Sequence, residues 1–156
     1  TIKKYLSVLK KTFLVDCVKN RLRSIRSQEK SLDKVFSTSI NLASIVLSIN
    51  DPLNPPYMDF RGHIIESFVF NSIKKFGTIY YYNKNGKEVD LILESSNKII
   101  PIEVKSANIL KKTDMNHLVY FMEKNKLKIG FVAYGGELRS VEVDNKKIYL
   151  LPYWLF

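Results

Sequence analysis

The sequence predicts an α/β domain in which a mixed sheet is covered on both sides by helices, preceded by a basic helix and hairpin. Three observations carry this. The run GHIIESFVFNSIKKFG repeats apolar residues at helical spacing. Two strand-like runs follow, joined by Asn-Lys-Asn-Gly, which marks a hairpin. Later, IIPIEV and GFVAY read as buried strands on either side of an amphipathic helix between Thr113 and Lys124.

The order of elements begins at Thr1, a cap for a helix that places Ile2, Tyr5, Leu6 and Leu9 on one side. Phe13 to Val18 reads as a strand, followed by a polar, basic connection through Lys19, Arg21, Arg23, Arg26 and Lys30. A second strand lies near Lys34 to Thr38. Asn41 to Ile49 is a short apolar helix with Asn41 as its cap. Pro52, Pro55 and Pro56 cannot continue it. The stretch Asp51–Phe60 is therefore the expected boundary between an appendage of residues 1–50 and a core of residues 51–156.

In the core, Ile65, Phe68, Val69, Ile73 and Phe76 form the apolar helix face, and Glu66 falls on the buried side among them. A carboxylate there needs a cationic or hydrogen-bonding partner. Alternation in the second hairpin strand puts Val89, Leu91 and Leu93 on one face and Glu88, Asp90 and Ile92 on the other. In the next strand Ile100, Ile102 and Val104 share one face, leaving Glu103 and Lys105 together on the opposite one. The later helix is capped by Thr113 or Asp114 and turns Leu118, Val119, Phe121 and Met122 inward, with His117 at the surface or half-buried. Val141–Val143 and Lys147–Leu151 form a terminal hairpin about Asp144-Asn145. In the closing PYWLF, Trp154 is expected to anchor in the core.

Neighbouring strands would bring Asp90, Glu103 and Lys105 to one sheet edge, with Glu66 beside them. Phosphodiester hydrolysis has a use for such a set. Carboxylates hold one or two Mg²⁺ (or Mn²⁺) ions that polarise the phosphate, and a lysine orients the attacking water or stabilises the charged transition state. Asp90, Glu103 and Glu66 are the expected metal ligands, and these three with Lys105 the expected catalytic set. With one Cys and two His, a zinc cage is not expected. His63, three residues before Glu66, is a candidate for a supporting or phosphate contact.

The order of Glu66 on a helix, Asp90 ending "EVD" and Glu103 and Lys105 in "IEVKS" is similar to the PD-(D/E)XK nuclease superfamily, which includes archaeal Holliday-junction resolvases. "GHIIESFVF", "YYYNKNGKEVDLIL" and "IPIEVKSA" resemble more closely the C-terminal domain that follows the ATPase module in archaeal-type AAA+ ATPases. "TIKKYLSVLKKTFLVDCV" resembles the entry to that domain. The resemblance implies a restriction-endonuclease-like fold, a metal site at Glu66, Asp90, Glu103 and Lys105, and an ATPase module upstream as partner. No proline precedes Asp90, and Ser39 stands where that domain often carries an acid.

Charge points to a polyanionic partner. Net charge is +10, and the first 35 residues carry ten Lys or Arg against three acids. The amino-terminal helix and hairpin resemble the last part of a winged-helix unit. Lys19, Arg21, Arg23 and Arg26 would then contact DNA phosphates. A surface reading remains open beside this one: a Lys-rich composition and an exposed loop. No phosphate-loop motif occurs, so ATP hydrolysis does not reside in these residues. The lone Cys17 excludes an intramolecular disulfide, and no run is apolar enough to span a bilayer. Together with the lack of a signal-like start, this makes a cytoplasmic protein the expectation. The opening at Thr1, already in helical pattern, suggests a piece of a longer chain.

Two functions therefore stand side by side: a Mg²⁺-dependent DNA endonuclease, and a catalytically inactive nuclease-fold module that binds DNA or protein and regulates the ATPase. A resolvase form would act as a homodimer on a two-fold substrate.

Overall fold

The computed structural model describes residues 2–22, 24–46 and 58–156. Arg23, the end of the expected 41–49 helix and the proline-containing stretch through residue 57 lie outside them. Helix α1 (Ile2–Lys11) leads into strand β1 (Val15–Val18), which pairs antiparallel with β2 (Lys34–Ser37), Val18 opposite Lys34. The connection between them is not wholly a loop. Residues Ile25–Lys30 form a short helix, α2.

Helix α3 (Ile40–Val46) starts one residue earlier than predicted. Ser39, not Asn41, caps it, its Oγ accepting the Leu42 N–H at 3.3 Å. Helix α4 (Met58–Ile73) is followed by a 3₁₀ turn, Lys74–Phe76. That turn accounts for one correction. Ile65, Val69, Phe70 and Ile73 are buried, but Phe76, predicted inward, is 58% exposed. Tightening to three residues per turn carries it off the 3.6-residue stripe.

Six strands form the main sheet: β3 (Thr78–Lys84), β4 (Lys87–Ser95), β5 (Lys98–Val104), β6 (Ile129–Tyr134), β7 (Arg139–Val143) and β8 (Lys146–Pro152). Their order is β3-β4-β5-β6-β8-β7. The sheet is mixed, since β5–β6 and β6–β8 are parallel and the other pairs antiparallel. Three hairpins close on two-residue turns with both φ angles positive: Asn85-Gly86, Ser96-Asn97 and Asp144-Asn145. Such turns match the right-handed twist of the strands they join, and Asn, Asp and Gly tolerate the left-handed region best.

Helix α5 (Asn116–Lys124) lies in the crossover from β5 to β6 and buries Leu118, Val119, Phe121 and Met122, the four residues predicted to face inward. With Val89, Ile92, Val132, Ile148 and Leu150 they make the core of one sheet face. On the other face α4 packs Ile65, Val69 and Phe70 against Leu91, Ile102 and Ala133, and Val18 and Phe36 of the small hairpin join the same cluster. Complete burial of an aliphatic side chain in such a layer contributes roughly 1.5–3 kcal/mol before entropy is counted.

Several contacts fasten the hairpin to the core, among them a ring stack and a side-chain amide. Phe36 stacks on Phe70 with ring centroids 4.5 Å apart. Asn20 is buried against the free edge of β3: its Nδ2 donates to the Asn83 carbonyl at 2.8 Å, and its Oδ1 accepts the Asn83 N–H at 3.0 Å. The side-chain amide thereby stands in for a strand residue and extends the backbone pairing of Lys19 and Arg21 with Tyr81 along that edge. At the far end Trp154, predicted as an anchor, is 57% exposed. The last residues form a 3₁₀ turn, Tyr153–Leu155, and it is Tyr153 and Phe156 that pack on the α4-side cluster. No described helix is long and apolar enough to cross a membrane.

Candidate functional site

The position of Asp90 depends on an irregularity between β3 and β4. Tyr80 lies opposite Ile92 and Tyr82 opposite Val89, so two steps along β3 match three along β4. Asp90 and Leu91 therefore both face Tyr81, as in a β-bulge. The extra residue breaks the predicted alternation. Val89 falls with Ile92 in the α5-side core, whereas Leu91 falls in the α4-side core. The expectation that Val89 and Leu91 share a face is corrected accordingly. Asp90, expected on the face of Ile92, turns instead toward α4 and the small hairpin.

Two contacts hold the Asp90 carboxylate. Its Oδ2 accepts the Val104 N–H at 2.8 Å, and its Oδ1 lies 3.3 Å from Lys34 Nζ. The β4–β5 ladder runs from Ser95 opposite Lys98 to Leu91 opposite Ile102. One step further the side chain of Asp90 takes over the role of a backbone acceptor.

Lys34, at the start of β2, is the hub of the α4 side. Its ammonium lies 2.9 Å from Glu66 Oε2, 3.3 Å from Asp90 Oδ1 and 3.4 Å from Glu88 Oε1. Burial works against its charge, but Asp90 and Glu66 outweigh burial and hold its pKa above the usual lysine range. Glu66 is pushed up by burial and by Asp90, with Lys34 pulling the other way.

Glu103 and Lys105 occupy the other side. Glu103 lies opposite Val132, which belongs to the α5-side core. Lys105 Nζ donates to Glu103 Oε1 at 2.7 Å. The Glu103 side chain is only 6% exposed, and its Oε2 is buried with no hydrogen-bond partner. Burial first, then the charge of Asp90, push its carboxyl up to about 8, although Lys105 opposes both. Burial opposes the Lys105 charge as well, but Glu103 outweighs it and raises that pKa.

The predicted residues thus fall into two acid–lysine pairs, one completed by Lys34, with Asp90 between them rather than in a single ring. Glu66 with Lys34 stands on the α4 side, Glu103 with Lys105 on the α5 side, and Asp90 acts electrostatically on both acids. Among the described residues, no three His, Cys, Asp or Glu side chains are gathered so as to hold a metal ion as they stand. A lysine ammonium sits among three of the carboxylates instead. Lys34 and Glu88 were not singled out from the sequence. A signal for Lys34 was present, since it shares its strand face with the buried Phe36 two residues later.

The predicted DNA contacts fare differently from one another. Lys19 and Arg26 are exposed. Arg21 is partly buried, and its Nε is bonded to Glu94 Oε1. Arg23 lies outside the described residues. His63 is exposed, and it acts on Glu66 less than burial, Asp90 and Lys34 do. His117 is half-buried, with Nδ1 3.5 Å from the Glu88 nitrogen.

The acids of the site and the whole main sheet fall within one family match. The model of the domain of unknown function DUF4143 matches residues 61–156, which is more than half of the chain. Of the acidic residues around Lys34 and Lys105, all lie in the matched part, whereas Lys34 itself precedes it. Among curated proteins none matches the chain.

Proposed function

We propose that this chain, which belongs to the DUF4143 family, is a metal-dependent nuclease domain of restriction-endonuclease-like fold, acting on DNA as the C-terminal module of an AAA+ ATPase. The observation that carries the reading is the bulge at Asp90-Leu91, which turns Asp90 toward Lys34, the partner of Glu66, and onto the Val104 N–H between Glu103 and Lys105. Bulges re-aim side chains next to active sites.

The chemical type of the donors supports a hard divalent cation. Asp90, Glu103 and Glu66 offer carboxylate oxygens only, and Glu103 Oε2 is buried without a partner. Asp90 and Glu103 would hold Mg²⁺ or Mn²⁺, with Glu66 assisting directly or through water. When bound, the ion supplies polarisation of the phosphate and a lowered pKa for its water. Lys105, fixed by Glu103 Oε1 at 2.7 Å, keeps a positive charge beside the scissile phosphate and orients the attacking water. Lys19 and Arg26 stand exposed on the amino-terminal segment, which would guide the polyanion.

The test is cleavage of branched and linear DNA with Mg²⁺ or Mn²⁺ by wild type, Asp90→Ala and Lys105→Ala. Cleavage by wild type alone supports the reading, and equal cleavage by all three assigns the activity to a contaminant.

One observation favours a second reading, an inactive nuclease-fold module that binds DNA or protein and regulates the ATPase. Lys34 satisfies Glu66 and Asp90 without any metal. Under that reading calorimetric titration with Mn²⁺ gives no binding, and DNA binding is unaffected by chelator.

A further inference from the structure

Lys34 holds a position that a divalent cation would otherwise contest. Three oxygens from two elements, Glu66 on α4 and Glu88 and Asp90 on β4, lie between 2.9 and 3.4 Å from its Nζ. An ammonium has three protons to give, and here there are three carboxylates to receive them. Three carboxyl groups share one ammonium, which leaves oxygen lone pairs for a second cation.

We propose that Lys34 is a tethered competitor for the metal: its ammonium and a divalent ion exclude one another at Asp90 Oδ1, and the ion is held only after the lysine side chain has swung away. This rests on the metal-site reading above. The backbone of Lys34 is fixed by its pairing with Val18 and by the Phe36–Phe70 stack two residues on. Its side chain is held only at the tip, by the three ion contacts of its ammonium and its place 5.7 Å over the Phe36 ring. A flexible four-carbon stem lets the ammonium leave without undocking the hairpin. The amino-terminal hairpin thereby sets the metal concentration at which the site loads. Lys105 does not have this role, because it contacts Glu103 Oε1 and leaves Oε2 free.

The experiment compares Mn²⁺ binding to wild type and Lys34→Met by calorimetry, with thermal unfolding as the check on folding. In parallel, acetic anhydride labelling of Lys34 in the wild type is read by mass spectrometry with and without Mn²⁺. Removing the competitor is expected to tighten Mn²⁺ binding by about tenfold or more, the size of one charge-assisted contact. Labelling of Lys34 should rise when Mn²⁺ binds. Equal or weaker binding by Lys34→Met overturns the proposal, as does unchanged labelling in a wild type that has bound Mn²⁺. No binding by either protein overturns the metal-site reading itself. If Lys34→Met does not fold, the labelling of the wild type decides alone.

Discussion

Asp90 accepts the backbone N–H of Val104 through one carboxylate oxygen, at 2.8 Å, while the other oxygen faces Lys34 at 3.3 Å. One side chain thus closes the end of the β4–β5 ladder and links the small hairpin to the main sheet. Asp90 thus has a structural role beside the proposed chemical one, so its substitutions affect both.

Asp90→Ala is expected to lower stability by about 2–4 kcal/mol, because it strands a buried N–H and an ammonium that has lost one of its partners. Asp90→Asn, which keeps an acceptor for Val104, should cost clearly less. Urea unfolding of the two variants checks this. Equal losses would show that the Val104 contact contributes nothing.

Stability should fall as the pH rises between about 4.5 and about 8. Glu103 ordinarily titrates near 4.5 but is pushed up to about 8 in the fold, chiefly by burial and Asp90. Across that window the folded state binds more protons than the unfolded one, so protonation favours folding and deprotonation removes the benefit. Glu66, raised in the same direction, adds to the trend. The slope for one proton is at most about 1.4 kcal/mol per pH unit. Glu103→Gln should flatten it, and an equally steep profile in the variant would assign the effect to another group.

Phe36→Ala should cost about 3–5 kcal/mol, the usual range for emptying an aromatic site in a core. The ring is 2% exposed and stacks on Phe70. Since Phe36 also anchors the strand that delivers Lys34, the variant should become more sensitive to proteolysis within residues 15–37, as limited digestion would show.

Asn20→Ala should cost about 1–3 kcal/mol, since it leaves the N–H and carbonyl of Asn83 without their side-chain partner. Hydrogen exchange at the Asn83 amide is the direct readout. Faster exchange there, with little change at Leu118 or Val132, would confirm that the effect is confined to the β3 edge.

Much of the core was legible because its patterns are local. Asn85-Gly86 marked its turn, the α5 stripe marked its four buried residues, and strand alternation placed Glu103 with Lys105. The bulge was not legible, since EVDLIL alternates as well without an extra residue as with one. What selects the bulge is pairing with Tyr80 and Tyr82 on another strand. Lys34 was missed for a similar reason: its partners lie thirty or more positions away, on elements whose placement only the fold reveals. Phe76 and Trp154 show the converse: both are hydrophobic, yet chain geometry leaves both rings facing water.

The strand order carries a consequence for synthesis on the ribosome. β7 is made before β8 but pairs only with it, and β8 lies between β7 and β6. Until Pro152 has been added, one side of β6 has no neighbour and β7 has no place to attach. A nascent chain halted anywhere before that point carries a sticky, unfinished border, which chaperones would be expected to shield.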